Sequence, residues 1–360
     1  MRVMSVVGAR PQFVKLAPID AAFREAGIEH VIVHTGQHYD PMLSDVFFSD
    51  LGISAPDVHL GVGSGSHGVQ TGTMLAAMDE TIETYRPDWV LVYGDTNSTL
   101  AGALSAVKLH VPIAHLEAGL RSFNRAMPEE INRILTDHAA DLLLAPTEVG
   151  AAHLADEGLA DRTVVVGDVM TDILFSVRDS VVDTPSPVMT ELDLPEGGYS
   201  LATIHRAENT DDPERLRSIL ESLAAVDHPV VLLAHPRLVA KCAEHGIALG
   251  DSGNLRMHPP LAYPELIAST LHAHGVVTDS GGLQKEAFLL RAPCTTVRPQ
   301  TEWVETVNLG WNVLVEPGQA LVRAASRPRP TEPAEAEAHP YGDGNAAHRV
   351  VQALTDHLPG

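Results

Sequence analysis

Four carboxylates and a set of cations stand at spacings that suit proton transfer beside an anionic leaving group. Asp95 follows the run TrpValLeuValTyrGly, Glu117 follows IleAlaHisLeu, and Glu129 and Glu130 follow Pro128. Carboxylates just beyond the ends of neighbouring strands would serve as general acid or base, or face a developing cation. Arg10 and Lys15 follow Gly8 in the first turn and would meet an anion at the same edge. His205 ends a later apolar run. The SerGlyGly at 280–282 opens a helix and offers free amides without side-chain bulk, which suits a phosphate. Glu286, four residues after Gly282, would accept ribose hydroxyls. Each has a plainer role: Asp95 as a helix cap, Glu117 as a solvated loop residue, Glu129, Glu130 and Glu286 as complements to helix dipoles, Arg10 as a loop arginine, SerGlyGly as a tight turn. The constellation, rather than any member, is the signal.

The elements that position these residues read as alternating strands and helices. Short apolar runs predict parallel strands near 2–7, 31–34, 89–93, 113–116, 141–145 and 164–166, each followed by helical spacing. The pattern restarts with strands near 199–204, 230–234, 255–257 and 276–278, and a helix over 213–226. Ligands in such sheets bind outside the carboxyl ends of the strands. The first turn lacks G-x-G-x-x-G, which argues against a nicotinamide cofactor there. The glycines of 61–68 follow no convincing strand and read as a loop before a helix near 69–85. Residues 327–345, rich in Pro, Ala and Glu, predict a surface loop, and 346–357 a final amphipathic helix.

A chain of 360 residues fits two domains. The expected division is 1–167 and 168–345, with 346–360 packing back on the first domain. A formal charge of −23 argues against nucleic acid, whose binding rests on phosphate neutralisation by Lys and Arg. No apolar run reaches the ~20 residues of a membrane helix, and the first strand leaves no room for a targeting segment, so a cytoplasmic protein is expected. Cys242 and Cys294 have neither metal nor redox spacing.

GlyAlaArgProGlnPheValLys, ThrGlyGlnHisTyrAsp, TyrGlyAspThrAsnSerThr, HisLeuGluAlaGlyLeuArgSer, MetProGluGluIleAsnArg, HisArgAlaGluAsn and AspSerGlyGlyLeuGlnLysGluAla occur in that order. With ThrGluTrpValGlu at 301–305 and TyrGlyAspGlyAsnAla at 341–346, the chain resembles the non-hydrolysing UDP-N-acetylglucosamine 2-epimerases over essentially its whole length. The resemblance implies an α/β fold of two Rossmann-like domains with parallel sheets in the GT-B arrangement, with the active site in the interdomain cleft. It implies that Arg10, Lys15, Asp95, Glu117, Glu129, Arg133 and His205 line the active site, that Ser280, Gly281 and Gly282 hold the diphosphate, and that Glu286 holds the ribose. It further implies a UDP-sugar substrate, a homodimer, and neither metal nor redox cofactor. The implied reaction expels UDP to a 2-acetamidoglucal and re-adds it. A GT-B glycosyltransferase would share the fold and UDP site, but an acceptor pocket and one dominant acid or base would suit it better than three carboxylates; a non-catalytic nucleotide-sugar sensor is a third reading.

Many bacterial members of that family take a second substrate molecule as activator. Gln37, His38, Gln70 and His235 match the residues that hold it, whereas Tyr39, Asp40 and Val69 stand where polar or basic residues are common. Weak or absent activation is therefore expected. The same departures resemble the branch acting on UDP-2,3-diacetamido-2,3-dideoxyglucuronic acid, the alternative substrate.

Overall fold

The computed structural model describes residues 1–37, 53–334 and 338–358, without the Arg10 side chain. The chain divides into two compact units, Met1–Ile173 with His339–Gly360 (unit 1) and Leu174–Ala338 (unit 2). Each is a parallel-sheet α/β domain, as expected.

Unit 1 contains β1 (Arg2–Val7), β2 (Glu29–His34), β3 (Val58–His59), β4 (Trp89–Tyr93), β5 (Ile113–Leu116), β6 (Leu142–Ala145) and β7 (Thr163–Val165). Their order is β3-β2-β1-β4-β5-β6-β7, and every neighbouring pair is parallel. The chain reverses its direction of winding between β1 and β4, so the carboxyl ends of these two strands form the switch point where such sheets bind ligands. β4 is buried throughout because helices cover both faces. Its alternation sends Trp89, Leu91 and Tyr93 into one apolar layer and Val90 and Val92 into the other.

The first layer is completed by the helix Ala346–Asp356, whose Ala346, Ala347, Val350, Ala353 and Leu354 pack with Phe13, Leu16, Ile19 and Phe23 of the helix Arg10–Glu25. The Trp89 indole donates to the Leu354 carbonyl at 3.1 Å. The Asp172 carboxylate accepts from the Ala346 and Ala347 amides at 3.0 and 2.8 Å, which serves two of the otherwise unpaired donors of that helix start.

Unit 2 contains β8 (Ser200–Thr203), β9 (Val230–Leu233), β10 (Leu255–His258), β11 (Gly275–Thr278), β12 (Cys294–Thr296) and β13 (Asn312–Leu314), in the order β10-β9-β8-β11-β12-β13, again parallel. Its switch point lies between β8 and β11. The described residues of 327–345 form no helix or strand and most are exposed or half-buried, as expected of a surface loop, but the stretch is tied down at both ends. The Arg327 guanidinium donates to the carbonyls of Cys294 (2.7 Å) and Trp311 (2.9 Å), and Tyr341 is fully buried. A stretch poor in apolar residues is held here by carbonyls at strand ends and by one large aromatic.

Candidate active site

The unit 1 site assembles on the loops that leave β1, β4 and β5. Lys15, on the first helix, pairs with Glu117 just beyond β5, and both side chains are largely buried. Burial alone would lower the Lys15 ammonium, but Glu117, with Asp168 and Asp95 behind it, raises it above its ordinary value. Gly94 makes this approach possible: a Cβ there would stand 3.1 Å from Glu117 Oε2 and 3.5 Å from Lys15 Nζ. Arg133, on the helix Pro128–Ala139, donates to Asp95 Oδ2 at 2.5 Å and to Glu130 Oε2 at 3.0 Å. Lys15, Asp95, Glu117 and Arg133 are thus brought together as two ion pairs.

Asp95 is not a helix cap. Thr96 takes that role for the helix Asn97–Lys108 through the Thr99 amide, which frees the Asp95 carboxylate for Arg133. Glu129 and Glu130 separate. Glu129 is exposed and has no partner among the described residues, whereas Glu130 is 1% exposed. Glu130 accepts from the Ser122 amide and hydroxyl (2.8 and 2.9 Å) and the Phe123 amide (2.8 Å), which makes it the anchor of the loop after Glu117. Burial favours its protonation, but these donors and Arg133 hold its carboxyl below the ordinary range.

Two amide side chains, also unforeseen, brace the same edge. Gln12 accepts from the Gly8 and Ala9 amides and donates to the Tyr93 carbonyl at 2.8 Å, joining the first turn to the end of β4. Asn132 donates to the Asp95 carbonyl at 2.9 Å. Both lie inside motifs quoted above, beside the charged residues that drew attention.

In unit 2, His205 and Arg206 follow β8, and Asp279 and Ser280 follow β11. The buried Asp279 carboxylate accepts from the His205 and Arg206 amides and from Asn209, and lies 3.3 Å from His205 Nδ1. Ser280 caps the helix Gly281–Leu289, accepting weakly from the Leu283 amide. Gly282 has open space where a side chain would project. At Gly281 a Cβ would run into the Glu302 carboxylate and would lie 3.8 Å from the Arg206 guanidinium. The SerGlyGly edge therefore has a cation beside it and also a carboxylate, which Arg298 pairs at 3.0 Å. Glu286 points inward and accepts from the Tyr263 hydroxyl at 3.0 Å, and burial pushes its carboxyl up.

The four residues matched to an activator site do not behave alike. Gln37 Oε1 accepts from the Ser98 amide and hydroxyl (3.0 and 2.7 Å), and Gln70 is tied to Gly63 and Asn97, so both serve internal structure. His235 belongs with His205: the ring centroids are 4.9 Å apart, and burial, together with the neighbouring His205, lowers the His235 imidazole. His38 lies outside the described residues, as do Tyr39 and Asp40. Arg10 opens the first helix.

A UDP-N-acetylglucosamine 2-epimerase family profile matches residues 21–355. A UDP-N-acetylglucosamine 2-epimerase homolog from Methanococcus maripaludis is 43% identical, covering 98% of this chain and 99% of its own. A UDP-2,3-diacetamido-2,3-dideoxy-D-glucuronate 2-epimerase from Pseudomonas aeruginosa is 46% identical over 98% and 99% of the two chains. The solved UDP-GlcNAc 2-epimerase of Methanocaldococcus jannaschii matches with a TM-score of 0.85 at 36% identity, covering 99% of this chain and 100% of that one. With the profile spanning most of its length, this chain is an enzyme of the UDP-N-acetylglucosamine 2-epimerase family.

Proposed function

We propose that the chain interconverts UDP-N-acetylglucosamine and UDP-N-acetylmannosamine by elimination and re-addition of UDP. The observation that carries this reading is the pair of carboxylates, Glu117 against Lys15 and Asp95 against Arg133, beyond neighbouring strands at the carboxyl edge of one sheet. A sugar C2–H has no carbonyl beside it, so direct removal of that proton is unfavourable. In the proposed step the C1–O bond breaks first, its electron pair leaves on UDP, and C1 gains oxocarbenium character. The acidified C2 proton passes to a carboxylate and a C1=C2 double bond forms. Protonation of C2 from the other face and return of the UDP oxygen to C1 give the epimer. Asp95, Glu117 and Glu129 are the proposed proton-transfer and charge-stabilising groups, Arg10, Lys15 and His205 meet the departing charge, Ser280, Gly281 and Gly282 hold the diphosphate, and Glu286 the ribose. The sequence is redox-neutral and calls for no redox cofactor.

Incubation with UDP-N-acetylglucosamine in D2O tests the mechanism. Deuterium should appear at C2 of both epimers, and epimerisation with full retention of the original hydrogen would refute it. Turnover without any acceptor separates this reading from a glycosyltransferase or a sensor.

The Pseudomonas aeruginosa relative favours a second substrate, UDP-2,3-diacetamido-2,3-dideoxyglucuronic acid. Side-by-side rates on the two sugars decide between them. In the same reading the enzyme is a cytoplasmic homodimer, weakly or not at all activated by substrate. The internal bonds of Gln37 and Gln70 and the exposed apolar Val69 support the last point. Sigmoidal kinetics on UDP-N-acetylglucosamine would contradict it, and light scattering tests the dimer. Among the described residues no helix is long and apolar enough to cross a membrane.

A further inference from the structure

Glu117 holds a backbone conformation that its residue type rarely adopts, with φ at +70°. A non-glycine residue persists in the left-handed region only where its surroundings over-determine it. The surroundings here are one carboxylate. Asp137 Oδ1 lies 2.6 Å from His115 Nδ1, two residues before Glu117, and Asp137 Oδ2 accepts from the Gly119 amide at 3.2 Å, two residues after it. The other ring nitrogen of His115, Nε2, lies 2.7 Å from the Gly94 carbonyl, directly before Asp95. Each ring nitrogen of His115 thus faces an oxygen acceptor, one on each side of the ring. His115 and Asp137 are fully buried and out of reach of any substrate.

We propose that Asp137 and His115 are positioning residues: one buried pair that fixes the Glu117 and Asp95 loops against each other. The inference rests on reading Asp95 and Glu117 as the acid–base groups. Asp137 sits on the helix Pro128–Ala139, which also presents Arg133 to Asp95, so a single rigid element sets both carboxylates. Arg121 Nη1 adds a bond of 2.7 Å to Asp137 Oδ2 and passes the network to Glu157 at its more exposed end. Burial alone would raise the Asp137 carboxyl, but His115 and Arg121 hold it below its ordinary value. Gly119, at φ +82°, leaves no space for a side chain, since an added Cβ would run into the Gly150 carbonyl.

The test compares His115→Gln, which offers donors from one nitrogen only, with Asp137→Glu, which keeps the charge and moves it by one methylene. Asp137→Glu is the milder change and remains informative if His115→Gln fails to fold. A misplacement of about 1 Å at reacting groups costs on the order of 10²-fold in rate. Both variants should therefore lower kcat by about 10²-fold, with KM and the calorimetric affinity for UDP within about threefold of wild type. Adding Asp137→Glu to Asp95→Asn should cost little beyond Asp95→Asn alone, because the pair acts through the same carboxylates. Glu157→Gln loosens the network away from both loops and should leave kcat within about twofold. Near-wild-type kcat in folded Asp137→Glu, or a kcat that falls in step with melting temperature across all variants including Glu157→Gln, would overturn the proposal. Inactive Asp95→Asn and Glu117→Gln beside a normal Asp137→Glu would remove the positioning role alone. Fully active Asp95→Asn and Glu117→Gln would remove the acid–base reading as well.

Discussion

Replacing Glu130 with Gln changes no shape and removes one charge, and its consequences can be worked out bond by bond. The carboxylate uses both oxygens: Oε2 accepts from the Ser122 amide, the Ser122 hydroxyl and Arg133, and Oε1 from the Phe123 amide. Glutamine has one acceptor, and its NH2 must face donors whichever way the amide turns. With the oxygen toward Ser122, the Phe123 amide loses its partner, a loss of about 1.5–3 kcal/mol for a bond to a charged group. The remaining bonds fall from charge-assisted to neutral, at roughly half their strength. The sum is about 3–5 kcal/mol, the scale expected when a buried ion pair loses one partner. Phe123, at φ +58°, should then relax out of its turn. The pH dependence has a definite sign. A carboxyl held below its ordinary value of 4.5 contributes stability that is present above that pH and lost as pH falls through the folded value. The gap between wild type and Glu130→Gln should therefore be flat from about pH 8 to 6 and narrow below about pH 4.5. Urea titration read by pulsed hydrogen exchange and mass spectrometry reports β4 and β5 separately from unit 2. A gap under about 1 kcal/mol at neutral pH, or one that widens in acid, would refute the reasoning.

Asp95→Asn, Glu117→Gln and Glu129→Gln should each lower kcat by about 10²-fold or more, the usual scale for losing a positioned acid or base. Wild-type turnover in any one would take that residue out of the chemistry. Glu302→Gln should tighten UDP by about two- to fivefold in calorimetry, because a half-exposed carboxylate beside Gly281 repels the diphosphate. Unchanged or weaker binding would mean that the diphosphate lies elsewhere. Gly119→Ala and Gly158→Ala share a left-handed backbone, at φ +82° and +79°, but only Gly119 meets other atoms. Gly158→Ala should cost about 1 kcal/mol and Gly119→Ala at least about 3 kcal/mol. Equal losses by urea denaturation would show that conformation alone decides.

Most strands were legible because buried parallel strands announce themselves as short unbroken apolar runs, and β4 and β5 fall where the sequence places them. The two- and three-residue β3, β12 and β13 carry no such run and were not foreseen. Adjacent residues of the same chemical type were not separable. Asp95 and Thr96 are both good helix caps, and only the fold shows that Thr96 caps while Asp95 turns to Arg133. Glu129 and Glu130 posed the same difficulty. The helix Pro128–Ala139 misleads further, since its buried residues are Glu130, Asn132, Thr136 and Asp137 while Leu135 is 46% exposed. An apolar-face argument turns that helix the wrong way, which hides the polar pair beneath Glu117. The His205–His235 ring contact was invisible for another reason: it joins the ends of β8 and β9, and no spacing rule links two histidines across neighbouring strands.

The helix Ala346–Asp356 has a consequence for how the chain is made. It supplies part of the wall of the first apolar layer in unit 1, yet the ribosome delivers it only after all of unit 2. At about 5–20 residues per second that is a wait on the order of ten seconds, during which Trp89, Phe13 and Phe23 lack their cover. Unit 2, contiguous in sequence, has no such wait and can close first. The nascent polypeptide is thus asked to finish its second half before its first.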